Sequence, residues 1–157
     1  MAHSMTIRTQ QTVTTTGSTI VINTGHLKSW SGILKLLQLA MGIVCVGIIG
    51  NEYPYASKTE EPFFFVITTT FMIGTFILLL SCLISFSTAA IISKTIYEFI
   101  YHFIASLLIF SASLTLLVHV TNYRRSNLLL TAAICGLINT ALYICSTIFA
   151  FRNYRGA

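Results

Sequence analysis

Charged side chains are scarce in this chain of 157 residues: they make up 8% of it, and only four of them are acidic. A soluble domain carries roughly a quarter charged residues, so the chain lacks the polar surface that a water-soluble fold requires. The net charge is +5, yet the lysines and arginines form no basic run or stripe. We therefore expect no nucleic-acid partner, and anionic lipid headgroups are the expected counterpart of the positive charge.

Cysteines are absent from the polar segments, because Cys45, Cys82, Cys135 and Cys145 all fall within apolar runs. A disulfide framework is therefore not expected. The chain also lacks GxSxG and HExxH motifs, a glycine-rich phosphate loop and a pair of carboxylates within an apolar run. We expect no enzymatic activity, no cofactor and no metal site. The polar first residues have no apolar core before a cleavage site, so a cleavable signal peptide is not expected either.

Long continuous apolar runs are what the sequence does contain, at 55% hydrophobic residues and a mean hydropathy of +0.81. Such runs are long enough to cross a bilayer as helices, and their lack of strict alternation argues against strands. The predicted fold class is all-α, a four-helix transmembrane bundle with both termini cytosolic. The predicted spans are about 31–50, 63–86, 96–120 and 128–151, within a domain of residues 30–152 between a flexible polar tail (1–29) and a short terminal tail (153–157).

The distribution of basic residues predicts the orientation, because cytosolic loops carry an excess of lysine and arginine. With both termini inside, the cytosolic side holds Arg8, Lys28, Lys35, Lys94, Arg152 and Arg155. The outer side then holds only Lys58, Arg124 and Arg125. We expect a multi-pass protein of the plasma membrane or of vesicle and other internal membranes.

Ionisable residues inside the predicted spans are candidates for function. Lys94, Glu98 and His102 follow one another at intervals of four residues and so share one helix face near the cytosolic membrane edge. A structural cluster at that edge is one reading, and a proton or metal site is another. A third ligand is missing, since His119 lies about 25 Å further along the same helix. Lys35, at the start of the first span, is expected to extend back to the headgroups.

Small residues within the spans predict close helix packing. Ala132, Gly136 and Thr140 recur every fourth residue, and Gly42 and Gly47 allow close backbone approach in the first span. The sequence leaves open whether these faces pack within one chain or between chains. Asn139 is expected to form an interhelical hydrogen bond. The remaining candidate sites are Cys82 and Cys145, which are expected either to be palmitoylated or to remain buried and inert.

The beginning of the first span, LKLLQL at residues 34–39 running into small residues, resembles the MARVEL domain family, which includes plasmolipin, the physins, occludin and the chemokine-like-factor tetraspan proteins. The resemblance extends over about residues 26–157. It implies a four-span fold without catalytic residues that organises membrane apposition, cholesterol-rich domains, vesicle trafficking, junctions or cell fusion. Membrane lipids, other membrane proteins and further copies of the chain are the implied partners. The short loops favour a role within one membrane over adhesion across a gap.

Two other functions follow from the residues alone. A small channel or transporter would use Glu98, His102, His119 and Asn139 as its polar groups. An accessory subunit of a larger membrane complex is the other alternative, and it would retain a stoichiometric partner through purification in mild detergent.

Overall fold

The computed structural model describes residues 25, 28–52, 59–92, 94–123 and 126–156. Most of the predicted polar tail lies outside the described residues. Residues 53–58 and 124–125 of the two predicted outer loops, including Lys58, Arg124 and Arg125, also lie outside the described residues. The orientation from basic residues therefore stays a prediction.

Helices account for almost all of the described chain, and no strand occurs in that part. Four of them are long and apolar enough to cross a membrane, with hydropathy values between 2.0 and 2.3. The predicted all-α four-span architecture is confirmed. The helices are α1 (Trp30–Glu52), α2 (Glu60–Ile84), α3 (Phe86–Ile92), α4 (Ile96–Tyr123) and α5 (Asn127–Tyr154).

The inner connection after α2 differs from the predicted loop, because it contains the short helix α3. The break falls at Ser85, whose backbone is extended with φ −132° and ψ 118°. The Ser85 hydroxyl accepts a hydrogen bond from the Thr88 backbone N–H at 3.2 Å. A serine that accepts from an N–H three residues ahead is an N-cap, so this residue ends one helix and begins the next.

The start of α2 also lies earlier than predicted, at Glu60 instead of residue 63. The first turn therefore contains Glu60 and Glu61, which the sequence placed in a loop. Acidic side chains at this position are stabilised by the unpaired N–H groups and the dipole of the helix. Glu60 and Glu61 therefore lie within a helix, as Glu98 does.

The four long helices form an up-and-down bundle in which α1 packs against α2 and α5, while α4 packs against the same two helices. Helices α1 and α4 are therefore diagonal to each other across the interior. We call the end of the bundle where α1 begins and α5 ends the terminal end, and the opposite end the loop end.

The bundle has a partly polar interior and an apolar outer surface. The buried polar or charged residues are Lys35, Gln38, Glu61, Thr68, Thr75, Glu98, His102, Ser106, Ser113, His119, Asn139, Thr140 and Ser146. Large apolar side chains such as Ile43, Leu107 and Ile138 are half exposed instead. This distribution suits a hydrocarbon surrounding, because lipid contacts the apolar side chains and the polar groups meet one another inside.

Ser126 begins α5 by accepting a hydrogen bond from the Leu128 backbone N–H at 3.1 Å. We expect Ser126→Ala to lower the free energy of unfolding by about 1 kcal/mol, because the N–H loses its side-chain acceptor. Thr70→Ala is the control, since that exposed hydroxyl bonds only the Val66 carbonyl of its own helix. Thermal unfolding followed by circular dichroism in detergent measures both variants. Equal melting temperatures for the two would contradict the assignment of Ser126 as a stabilising cap.

Candidate functional site

An ion pair between Lys35 and Glu98 crosses the interior near the terminal end. The Lys35 ammonium contacts Glu98 Oε1, and the two side chains are only 2% and 4% exposed. Lys35 Nζ also donates to Ser31 Oγ at 2.6 Å, and Ser31 Oγ donates to the same carboxylate oxygen at 3.4 Å. The expectation that Lys35 extends to the headgroups is therefore wrong. A carboxylate on the diagonal helix is a partner that the sequence of α1 alone does not reveal.

The other two members of the predicted Lys94–Glu98–His102 cluster lie in different surroundings. Lys94 is exposed and lies before the start of α4, and the structure pairs Glu98 with Lys35 instead. His102 is fully buried, with Nε2 at 3.8 Å from Glu98 Oε1. The cluster is thus a buried interior group of Lys35, Glu98 and His102 rather than a surface series on one helix.

Two further polar contacts join the helices near this level. Gln38 Nε2 donates to Ser146 Oγ at 2.6 Å and to the Leu142 carbonyl at 3.1 Å, linking α1 to α5. These bonds occupy the amide nitrogen, while Gln38 Oε1 has no partner among the described protein groups. Gln38 therefore ties two neighbouring helices together through one end of its side chain only.

Two tyrosines converge on α2 close to His102. Thr75 Oγ1 lies 2.6 Å from the Tyr143 hydroxyl and 3.1 Å from the Tyr101 hydroxyl. Both phenols donate to the Phe71 carbonyl, at 3.2 Å and 3.0 Å. The Phe71 carbonyl lies one turn before Thr75 in the same helix, so three long helices meet through one carbonyl and one hydroxyl.

At the loop end, His119 faces the first turn of α2. Its Nδ1 lies 3.9 Å from Glu60 Oε2 and its Nε2 lies 3.8 Å from Glu61 Oε1. A groove of about 450 Å³ opens beside it, lined by Glu60, Ser111 and Thr115 among others. Within the described residues, no group of three or more His, Cys, Asp or Glu side chains has a geometry that suits a metal ion.

Asn139 is buried in the middle of α5, 2% exposed, and its Oδ1 has no partner among the described protein groups. The interhelical hydrogen bond expected for it is not among the contacts of the described part of the chain. Asn139 and His119 do share the interior with Glu98 and His102, as the channel hypothesis requires.

The small residues of α5 face the interior of the bundle. Ala132, Gly136 and Thr140 are buried, and the Thr140 hydroxyl donates to the Gly136 carbonyl at 3.0 Å. A Cβ built on Gly136 would lie 2.8 Å from Phe64 Cε2 and would also collide with the Ser113 hydroxyl. The sequence left open whether these small residues pack within one chain or between chains. The structure places them against α2 and α4 of the same chain.

The two glycines predicted for packing in α1 differ from each other. Gly42 is buried, and a Cβ built on it would lie 3.2 Å from Met72 Cβ. Gly47 is exposed, and a Cβ there would meet no atom within 4 Å. Gly42 therefore contributes to packing against α2, whereas Gly47 lies on the outer surface of the bundle.

The two candidate palmitoylation sites also differ in exposure. Cys82 is 2% exposed, while Cys145 lies on the exposed face of α5. An acyl chain on Cys82 would have to displace packed side chains, so of the two thiols only Cys145 has room for that modification.

Sequence reasoning missed Lys35, Gln38, Thr75 and Tyr143 as interior polar groups. A signal for the first two was present, because Lys35, Gln38, Gly42, Cys45 and Ile49 recur at helical spacing, and all five are buried. This face packs against α2 and α5, and Lys35 on it also contacts Glu98 of α4.

Comparison with known proteins agrees with this architecture. The sequence model of the MARVEL family, described as a membrane-associating domain, matches residues 26–149. No curated protein and no solved structure matches the chain. The matched range includes all four long helices except the last residues of α5. The chain is a multi-pass membrane protein and belongs to the MARVEL family of membrane-associating domains.

Proposed function

We propose that this protein is a non-enzymatic organiser of membranes that acts by lateral contact with lipids and with other membrane proteins. The observation that carries the proposal is the division between a partly polar interior and an apolar outer surface, in a chain of the membrane-associating family. The Lys35–Glu98 ion pair and the hydroxyls of Tyr101 and Tyr143 bond across helices of the same chain. The surface left for partners is apolar and faces the bilayer. Such a surface recruits lipids and transmembrane helices rather than soluble substrates.

The cellular process that we propose is membrane apposition in vesicle trafficking or cell fusion. The segments GHLKSWSGILKLLQLAMG and AFRNYRGA resemble the insect protein singles bar, which favours myoblast fusion as the specific case. The plasma membrane and vesicle membranes are the proposed locations. Cholesterol-rich domains are the proposed lipid environment, and further copies of the chain are among the proposed partners.

Proximity labelling with the labelling enzyme fused to the N-terminal tail tests this function. We expect the labelled neighbours to come from vesicle, junction or fusion machinery, and the protein to collect at contacts between cells that are about to fuse. An unrelated four-span protein with the same fusion serves as the control for membrane proteins that are merely abundant. Neighbours drawn instead from pumps, channels or enzyme complexes would contradict the proposal.

Gly47 provides a variant for the lateral contact itself. Because Gly47 lies on the outer surface and a Cβ there meets nothing, we expect Gly47→Leu to leave the melting temperature nearly unchanged. The added side chain blocks close approach by a partner helix, so labelling of direct neighbours should fall. Ile43→Leu, on the same exposed side of α1, is the control for a change of apolar shape. Unchanged labelling in Gly47→Leu would exclude this face as the contact.

A further inference from the structure

Buried polar atoms without a hydrogen-bond partner among the described protein groups occur along the length of the bundle interior. They include Gln38 Oε1, Thr68 Oγ1, His102 Nδ1 and Nε2, Ser113 Oγ, His119 Nε2 and Asn139 Oδ1. Each belongs to a residue that is at most 5% exposed. Buried polar groups are almost always hydrogen-bonded, if not to protein then to ordered water. Packing alone does not require such groups, since apolar side chains would fill the same space.

These atoms form a series along the bundle axis with short intervals. Near the terminal end, His102 lies beside the Tyr101 and Tyr143 rings, with centroid separations of 5.2 and 5.7 Å. From Tyr143 to Asn139 the helix rises by about 6 Å, and from Ser113 to His119 by about 9 Å. Hydrogen-bonded oxygens lie about 2.8 Å apart, so about one or two water molecules in line would bridge the first interval and about two or three the second.

Titratable groups occupy both ends of this series. At the loop end, His119 lies between Glu60 and Glu61, and the Glu60 side chain is 36% exposed. At the terminal end, His102 contacts Glu98, and Glu98 reaches the half-buried Ser31. Histidine and carboxylate side chains bind and release protons readily, and intramembrane groups of this kind form the relays of proton pumps and transporters.

We propose that the interior of the bundle, from His119 through Asn139 to His102 and Glu98, is a hydrated pathway that conducts protons across the membrane. A proton from the solution binds at the Glu60–Glu61–His119 end. Each water or hydroxyl along the interior accepts one proton and donates another, until one is released at the Glu98–His102 end. One proton crosses in each passage, no bond other than O–H and N–H bonds changes, and nothing is oxidised or reduced.

The same interior opposes the passage of larger cations. Phe64, Ile109 and Leu116 are at most 1% exposed and pack in the same interior, which leaves less room for a hydrated sodium or potassium ion than for a single file of water molecules. A proton passes such a constriction without moving as an ion, because it is transferred from one oxygen or nitrogen to the next.

Proton flux into vesicles tests the pathway with the full chain. The purified protein is reconstituted into liposomes that enclose potassium and a pH-sensitive dye, and valinomycin then sets an inside-negative potential. We expect acidification of the lumen to be faster than in protein-free vesicles, and unchanged when external sodium is replaced by choline. Rates equal to those of protein-free vesicles, with the protein shown to be folded by circular dichroism, would overturn the proposal.

Variants of buried residues test whether the protons pass through the interior of the bundle. We expect His102→Gln and Asn139→Leu to lower the rate by at least about tenfold, because each removes a proton-carrying position. Thr131→Val is the control, since that exposed hydroxyl bonds only the Asn127 carbonyl of its own helix. If a variant fails to fold, the proposal is still tested by the comparison of the unmodified protein with protein-free vesicles. Folded His102→Gln and Asn139→Leu proteins with the full rate would place the flux elsewhere and overturn the proposal.

Discussion

Replacing Glu98 by glutamine is expected to destabilise the bundle by roughly 3–5 kcal/mol. The substitution removes the negative charge and leaves the Lys35 ammonium without an ionic partner in an interior where its side chain is 2% exposed. Reversible unfolding in mixed micelles, followed by circular dichroism, measures the loss. Glu52→Gln is the control, because Glu52 is the last residue of α1 and is only partly buried; we expect its effect to stay within about 0.5 kcal/mol.

A second variant separates the cost of an unpaired charge from the value of the pair. When both partners of a buried ion pair are replaced by apolar side chains of similar volume, the change is often neutral or stabilising. We therefore expect the double variant Lys35→Met with Glu98→Leu to recover most of the stability that Glu98→Gln loses. A double variant that is less stable than Glu98→Gln would show that the pair itself contributes net stability. A Glu98→Gln protein that is as stable as the unmodified protein would contradict the presence of a buried ion pair between Lys35 and Glu98.

The second large effect is expected at Gly136, where α5 comes closest to α2 and α4. A methyl group at this position collides with the Ser113 hydroxyl and lies 2.8 Å from Phe64 Cε2. Overpacking of this kind costs about 1–3 kcal/mol, so we expect Gly136→Ala to lower the free energy of unfolding by that amount. Gly136→Leu should prevent assembly of the bundle, because Phe64 is fully buried and has no space to move into.

Gly47→Ala is the matched control for this experiment. Both changes add one methyl group to a helical glycine, but the methyl group at Gly47 meets no atom within 4 Å. In the absence of a clash, alanine favours the helix over glycine by up to about 1 kcal/mol. Gly47→Ala should therefore be as stable as the unmodified protein or slightly more stable. Equal losses at both positions would show that the Gly136 contact does not limit packing.

The spans were predictable from the sequence because the hydropathy of a membrane helix is a property of the segment itself. The ends of the helices were less predictable. Ser85 interrupts the chain within an otherwise apolar stretch and caps α3, and two acidic residues form the first turn of α2. Both features depend on local hydrogen bonding and helix-end electrostatics, to which hydropathy is insensitive.

Only some members of the candidate site were predictable from the sequence. The spacing of Glu98 and His102 placed them on one helix face, and the structure places both in the interior. The sequence grouped Lys94 with Glu98 because it lies four residues before it, whereas Lys35, which forms the ion pair with Glu98, is 63 residues away in the chain. Lys35 was expected to extend to the headgroups, as a lysine near a helix end often does. Which helix lies diagonally opposite depends on the tertiary arrangement.

The central claim is that the polar side chains of the four spans face one another and leave an apolar surface to the lipid. Photolabelling in vesicles with a lipid-soluble diazirine, mapped by mass spectrometry, tests it directly. Neighbouring residues provide the comparison, because Phe103 and Ile138 are about half exposed whereas His102 and Asn139 are buried. We expect label on Phe103 and Ile138 and none on His102 or Asn139. Label on His102 and Asn139 at the level of their neighbours would place the polar groups against lipid and contradict the account.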